Sequence, residues 1–260
     1  KNISTTDERM NFTHTIVSEN SFKDHNLKIL LGNSYEQFKT SNFNANRTGY
    51  LTQEISDISS GTMDQFATGG SAKDVLISYF GRVNYSYKEK YLFEANARYD
   101  GSSRFAKTNR WGLFPSFSVG WRISQESFMK NLTWIDQLKV RASWGQIGNQ
   151  EIGRFQYVNL VSSGYGYPFG GVYNGSGTAI TQSKDPDIRW ETTTMTDIGL
   201  DWSLFNNRLY GEFDYFYKRT DGILRQIALP SQVGGLTGPT TNLAVVDNSG
   251  FEISLNYRDH

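Results

Sequence analysis

The chain has 260 residues with 26 Lys plus Arg against 26 Asp plus Glu, so no net field favours nucleic acid or an anionic surface, and nucleic-acid binding is excluded early. Cysteine is absent, which removes disulfide frameworks, thiolate zinc sites and cysteine nucleophiles together. Apolar residues reach only 37% and aromatics 15%; a conventional buried core would be mostly Tyr, Phe and Trp, whereas a barrel with a thin lipid face and a wet lumen fits more easily. No run approaches the roughly 18 apolar residues of a spanning helix, and the greasiest stretches, Leu27 to Leu31 and Val75 to Phe80, are strand-sized. No signal-peptide pattern follows Lys1, so export would imply an earlier segment lost by processing or truncation.

Alternation and turn residues predict nine strands over 10–18, 26–38, 73–87, 90–100, 110–124, 137–145, 191–204, 208–220 and 245–258. The first connection centres on Asn20 and the second runs from Lys39 to Ala72. Then come Lys88-Glu89-Lys90, a loop from Gly101 to Asn109, a compact turn from Gln125 to Asp136, a long insert from Gln146 to Trp190, Phe205-Asn206-Asn207, and a loop from Asp221 to Ala244. Short and long connections fall on opposite rims, as periplasmic turns and extracellular loops do. Phe128, Leu132, Ile135 and Leu138 recur at helical spacing and predict a helical turn on the short rim. Gly164 to Gly177 reads as an extended loop.

The phase of the alternation is consistent. Trp111, Leu113, Pro115, Phe117, Val119, Trp121 and Ile123 alternate with small or polar residues, Phe114 being the exception. Leu138, Val140, Ala142 and Trp144 oppose Lys139 and Arg141; Ile198, Leu200 and Trp202 oppose Asp197 and Asp201; Ile253, Leu255 and Tyr257 oppose Glu252 and Arg258. A Lys or Arg on the lipid face at mid-bilayer costs about 2–4 kcal/mol, so the charges belong to the lumen. The expected fold is therefore all-β, a partial antiparallel transmembrane β-barrel wall with long extracellular loops and short periplasmic turns. Nine strands cannot close a single-chain bacterial barrel, which uses even numbers; the expectation is a fragment with free edges at both end strands.

Local words sharpen this. Tyr99-Asp100-Gly101-Ser102-Ser103-Arg104-Phe105, the run Phe114 to Ser124, Leu138 to Asn149, Ile188 to Thr193, and Asn206 to Phe216 occur in one order. They closely resemble the barrel of SusC/RagA-type TonB-linked outer-membrane transporters. The resemblance covers most of Val75 to Tyr257, while the first 70 residues match only in strand character. It implies that residues 1–260 are part of one β-barrel domain, without the plug, in the outer membrane of a Gram-negative, Bacteroidetes-type bacterium. It further implies import of oligosaccharides or peptides, a SusD-like surface lipoprotein as lid, and TonB acting through the missing plug. No cofactor is implied.

Candidate substrate-binding residues are the insert aromatics Tyr165, Tyr167, Phe169 and Tyr173, with Trp190 at its end. They could stack on sugars or line a peptide groove; packing within the loop or against the lid is the commoner role. Glu212 and Asp214, and likewise Asp197 and Asp201, read as lumen lining rather than a carboxylate pair for hydrolysis. His14 and His25 flank a short turn and His260 is terminal, so all three read as surface residues and no metal site is expected. Ser102 and Ser103 beside Asp100 lack a G-x-S-x-G elbow and a positioned His. Gly170-Gly171 and Gly234-Gly235 lack a following GK[ST], and Asp185-Pro186-Asp187 reads as a turn. No enzyme activity is expected. The rival readings are a secreted or surface β-sandwich that binds glycans, whose apolar faces would meet in a shared core, and an outer-membrane enzyme barrel, which needs a Ser, His and acid cluster.

Overall fold

Period-two alternation sends one set of side chains to each face of a strand, and here that pattern is carried through a single antiparallel sheet. The computed structural model describes residues 2–52, 54 and 57–259; His260 lies outside them. Strands β1 (Asn2–Phe22), β2 (His25–Thr48), β3 (Met63–Tyr87), β4 (Tyr91–Ser102), β5 (Trp111–Arg122) and β6 (Ile135–Asn149) follow one another. After the insert, which carries the short strands β7 (Val161–Ser163), β8 (Tyr167–Phe169), β9 (Val172–Asn174) and β10 (Thr178–Ile180), come β11 (Glu191–Leu204), β12 (Leu209–Gln226) and β13 (Thr240–Tyr257). The nine long strands pair in the order β1-β2-β3-β4-β5-β6-β11-β12-β13. Among the described residues β1 and β13 do not pair with each other, so both keep an unpaired edge.

Register confirms the phase. One row across the sheet reads Leu27, Tyr85, Phe93, Val119, Ala142, Ile198, Tyr215 and Phe251. The opposite face carries Lys28, Asn84, Glu94, Ser118, Ser143 and Asp197 in one row. The apolar face is exposed: Leu113, Phe117, Val119, Ile198, Phe251 and Ile253 stand free of any covering layer. The two small hairpin sheets of the insert are the other sheets among the described residues, so the shared core of a β-sandwich is absent. Charges on the apolar face, Lys73 among them, sit toward the loop rim, where Lys39 pairs with Glu8 and Arg219 with Asp247, each at 3.4 Å.

Aromatics gather at two levels. Near the turn rim Tyr87, Tyr91 and Trp121 form a stacked series at 6.3 and 6.4 Å. Near the loop rim Trp111 stacks on Tyr99 at 4.8 Å and on Tyr79 at 6.2 Å. Trp111 and Trp121, at the two levels, stand ten residues apart on β5. That spacing is about 33 Å of strand and, at a tilt of about 40°, about 25 Å along the membrane normal, the height of an outer-membrane apolar band.

Several boundaries differ from the sequence reading. β1 runs into a two-residue turn at Lys23-Asp24, with Lys23 at φ 52°, where a longer connection around Asn20 was expected. β2 and β3 stay paired up to Thr48 and Met63, so the connection is 49–62 rather than 39–72. The added rungs are rich in Ser, Thr, Asn and Gly on both faces; backbone pairing persists there without the one-sided burial that alternation reports. The stretch after β5 forms two single 3-10 turns, Ile123–Gln125 and Ser127–Met129, in place of a longer helical turn. The insert is not merely extended: Gly170 and Gly171, both with positive φ, turn β8 into β9, and β7 pairs with β10 outside them.

Candidate functional site

The insert is held at its base by the words that carried the family resemblance. β5 loses its β6 partner above Ser116, and Pro115, which has no N–H to donate, stands just past that last rung. Into the gap on the inner face goes Phe114, the exception to the alternation, with its ring where a Cβ on Gly112 or Gly148 would stand. Phe105 and Ile188 are fully buried and join Phe114, Ile152 and Trp190 in the hydrophobic cluster. Trp190 lies 5.1 Å from Phe105 and meets Phe114 edge-on at 5.3 Å.

Hydrogen bonds tie the same elements. Trp190 Nε1 donates to the Arg110 carbonyl at 3.0 Å, and Asn109 Nδ2 to the Asp187 carbonyl at 3.0 Å. Arg104 donates to the Ile152 carbonyl at 3.1 Å and to Asp74 at 3.4 Å, and Arg154 reaches the same Asp74 carboxylate at 2.7 Å. Ser103 Oγ accepts the Val75 N–H at 2.8 Å, and buried Ser102 accepts the Arg104 N–H at 3.2 Å; both hydroxyls serve backbone geometry. Asp185 accepts from the Asp187 N–H at 2.9 Å and from Thr241, as a turn residue does.

The candidate aromatics separate. Tyr165, Tyr167, Phe169 and Tyr173 stand exposed on the double hairpin, Tyr167 and Phe169 on one face and Tyr173 paired with Pro168 on the other. Trp190 is not with them; it lies in the buried anchor beneath. Also on the insert, Lys184 donates to Gln156 and Gln182 at 3.0 and 2.6 Å, and burial lowers its ammonium pKa.

Lower on the inner face, Arg141 gathers three carboxylates: Asp201 at 3.0 Å, Asp197 at 3.2 Å and Asp214 at 2.6 Å. Lys139 adds a contact to Asp201 at 2.8 Å. Gly199 faces Arg141 on one side and Asp214 on the other in the ladder; a Cβ there would stand 2.6 Å from Arg141 Cζ. The missing side chain is the passage through which the guanidinium crosses β11. Asp197 and Asp201 were read as lumen lining, but the glycine between them, the available signal for this network, was not. Glu212 shares the face of Asp214 and lies opposite Asp201.

At the turn rim Glu126 accepts from Tyr91 Oη at 2.8 Å, Lys90 Nζ at 3.1 Å and Trp121 Nε1 at 3.2 Å. These donors, the Tyr91 hydroxyl foremost, hold its carboxyl below the usual range. His25 begins β2 and its Nδ1 lies 2.8 Å from Tyr85 Oη, whereas His14 sits mid-strand on β1 opposite Asn33. Among the described residues no group of three or more His, Cys, Asp or Glu is placed to hold a metal.

The protein family described as TonB dependent receptor-like, beta-barrel matches residues 2–258. The TonB-dependent receptor SusC of Bacteroides thetaiotaomicron is 37% identical over 234 residues, 88% of this chain and 23% of its own length. The TonB-dependent receptor P3 of Formosa agariphila is 35% identical over 260 residues, covering 97% and 26%. The structure of the RagAB peptide transporter superposes with a TM-score of 0.86 at 26% identity, over 97% of this chain and 28% of that one. The siderophore receptor PirA of Acinetobacter baumannii, at 13% identity and a TM-score of 0.58 over 96% of this chain and 34% of its own, shares the fold alone. The chain spans about a quarter of the length of the curated relatives it matches.

Proposed function

Because the chain belongs to the TonB-dependent receptor-like β-barrel family, we propose that residues 1–260 supply wall and loops of one barrel domain in a TonB-dependent importer of oligosaccharides or peptides. The chain is an outer-membrane one of a Gram-negative bacterium. In this reading a SusD-like surface lipoprotein closes over the loop rim, and the plug that answers to TonB belongs to sequence outside these residues. The observation that carries the reading is the two-faced wall: an exposed apolar band between aromatic levels on one side, charged and polar rows on the other. The first face suits acyl chains and the second a hydrated passage. The named relatives are receptors and transporters, and the wall supports import rather than catalysis.

The double hairpin is the proposed contact for cargo or lid, through Tyr165, Tyr167, Phe169 and Tyr173. Trp190 serves it indirectly by fixing its base. The test is uptake of labelled oligosaccharides and peptides by cells producing the full-length protein, with and without the inner-membrane proton gradient. Collapse of the gradient is expected to abolish uptake, and Tyr165→Ala with Tyr167→Ala to weaken cargo affinity about tenfold, the loss expected of two aromatic anchors. Gradient-independent uptake overturns the importer reading; unchanged affinity removes the two tyrosines from the binding surface.

A further inference from the structure

β3 is 25 residues long and its neighbour β4 only 12. Their ladder ends at Leu76 opposite Ser102, and Ser103 closes it, taking the Val75 N–H on its hydroxyl at 2.8 Å and giving its own N–H to the Val75 carbonyl at 2.9 Å. Beyond that point β3 continues to Met63 and, among the described residues, pairs only with β2. Both Val75 backbone groups point to the β4 side, and these groups alternate sides along a strand. Ala67, Gly69, Ser71 and Lys73 therefore aim four N–H and four C=O groups at open space.

We infer that this free edge of β3, from Ala67 to Lys73, docks an extended cargo peptide as an added strand. The inference deepens the importer reading and rests on it. Exposed edges are ordinarily blunted by charge, proline or a bulge; here Lys73 and the ladder irregularity at Asp64 bound the segment, and no charged residue or proline lies between Ala67 and Ala72. The edge differs from those of β1 and β13, which run the height of the wall. Lys73 already stands six residues beyond Tyr79 of the loop-rim aromatics, about 20 Å further along the strand, so the free segment lies in water at the loop rim. A row of backbone donors and acceptors repeating every second residue matches another polypeptide backbone; the hydroxyls of a sugar chain have no such repeat. From Ala67 to Ala72 the side chains flanking the edge are Ala, Thr, Gly, Gly, Ser and Ala in turn, too small to form the pockets by which a fixed protein partner is selected. Backbone-directed docking without side-chain selection suits a cargo of varied sequence.

The experiment is calorimetric titration of the full-length protein in detergent with an uncharged decapeptide of Ala, Ser and Thr, with the same peptide methylated at every backbone nitrogen, and with maltohexaose. The plain peptide is expected to bind and the methylated one to bind more than about tenfold more weakly, having no N–H to offer. Ser71→Pro removes one edge donor while leaving the β2 ladder untouched, as proline permits on an edge, and is expected to weaken the plain peptide about fivefold to tenfold. Equal binding of the methylated peptide, or unchanged binding to the Ser71→Pro protein, overturns the proposal. Maltohexaose binding with no peptide binding overturns it too while leaving the importer reading in place, and gradient-independent uptake would sink that reading separately.

Discussion

Two contacts on the same inner face are built from opposite chemistry. At the loop rim, Phe105, Phe114, Ile188 and Trp190 exclude water and fix the insert by packing; midway down, Arg141 fixes three strands by charge among Asp197, Asp201 and Asp214. The first needs shape, because a buried aromatic cluster tolerates neither a void nor an unpaired polar group. The second needs only sign and reach, because its members keep part of their hydration. A barrel interior can thus carry an apolar anchor where a loop roots and stay polar along the passage.

The sharpest way to break the contrast is Phe105→Ala, which leaves a cavity at the centre of the anchor. A loss of about 3–5 kcal/mol is expected, read as faster tryptic cleavage within 150–190 while the wall stays protected. Equal cleavage of wall and insert would mean that the anchor serves the whole sheet. Next in size is Gly199→Ala, which pushes a methyl group into the path of Arg141 and is expected to cost about 1–3 kcal/mol by overpacking, measured as a lower urea midpoint in detergent. Paired with Arg141→Met, the second change should add less than it costs alone, since the guanidinium is gone and only the Asp214 carboxylate still stands in the methyl group's way. The smallest effect is that of pH at Glu126. Its carboxyl is held below the ordinary range, so its contribution is complete above that range and is lost as pH falls through the lowered folded value. Glu126→Gln should flatten that part of the stability curve between neutral pH and about pH 3; an unchanged curve assigns the acid sensitivity to other carboxylates.

The wall was legible because lipid and lumen sort side chains by residue type. Val140 and Leu200 against Arg141 and Asp201 announce their faces without knowledge of the pairing. The upper reaches of β1 to β3 were not legible: Asn42, Asn44, Thr68 and Gly70 extend the ladder where both faces are wet, and the periodicity that reveals strands vanishes with the burial that causes it. Trp190 shows a different limit. Its type suggested a ligand surface with Tyr165 and Tyr167, but its place immediately before β11 sets it over the gap between β5 and β6, which no local pattern reveals. Phe114 carried the opposite information, since a single break in an otherwise regular row marked the residue that fills that gap.

The passage at Gly199 also bears on how the strands find their alignment. A slip of one rung would carry charged side chains toward the acyl chains. By spanning β6, β11 and β12, one guanidinium makes any such misthreading break contacts on both sides of β11 together. A residue without a side chain thereby acts as a keyway, and the arginine that passes through it indexes three strands at once.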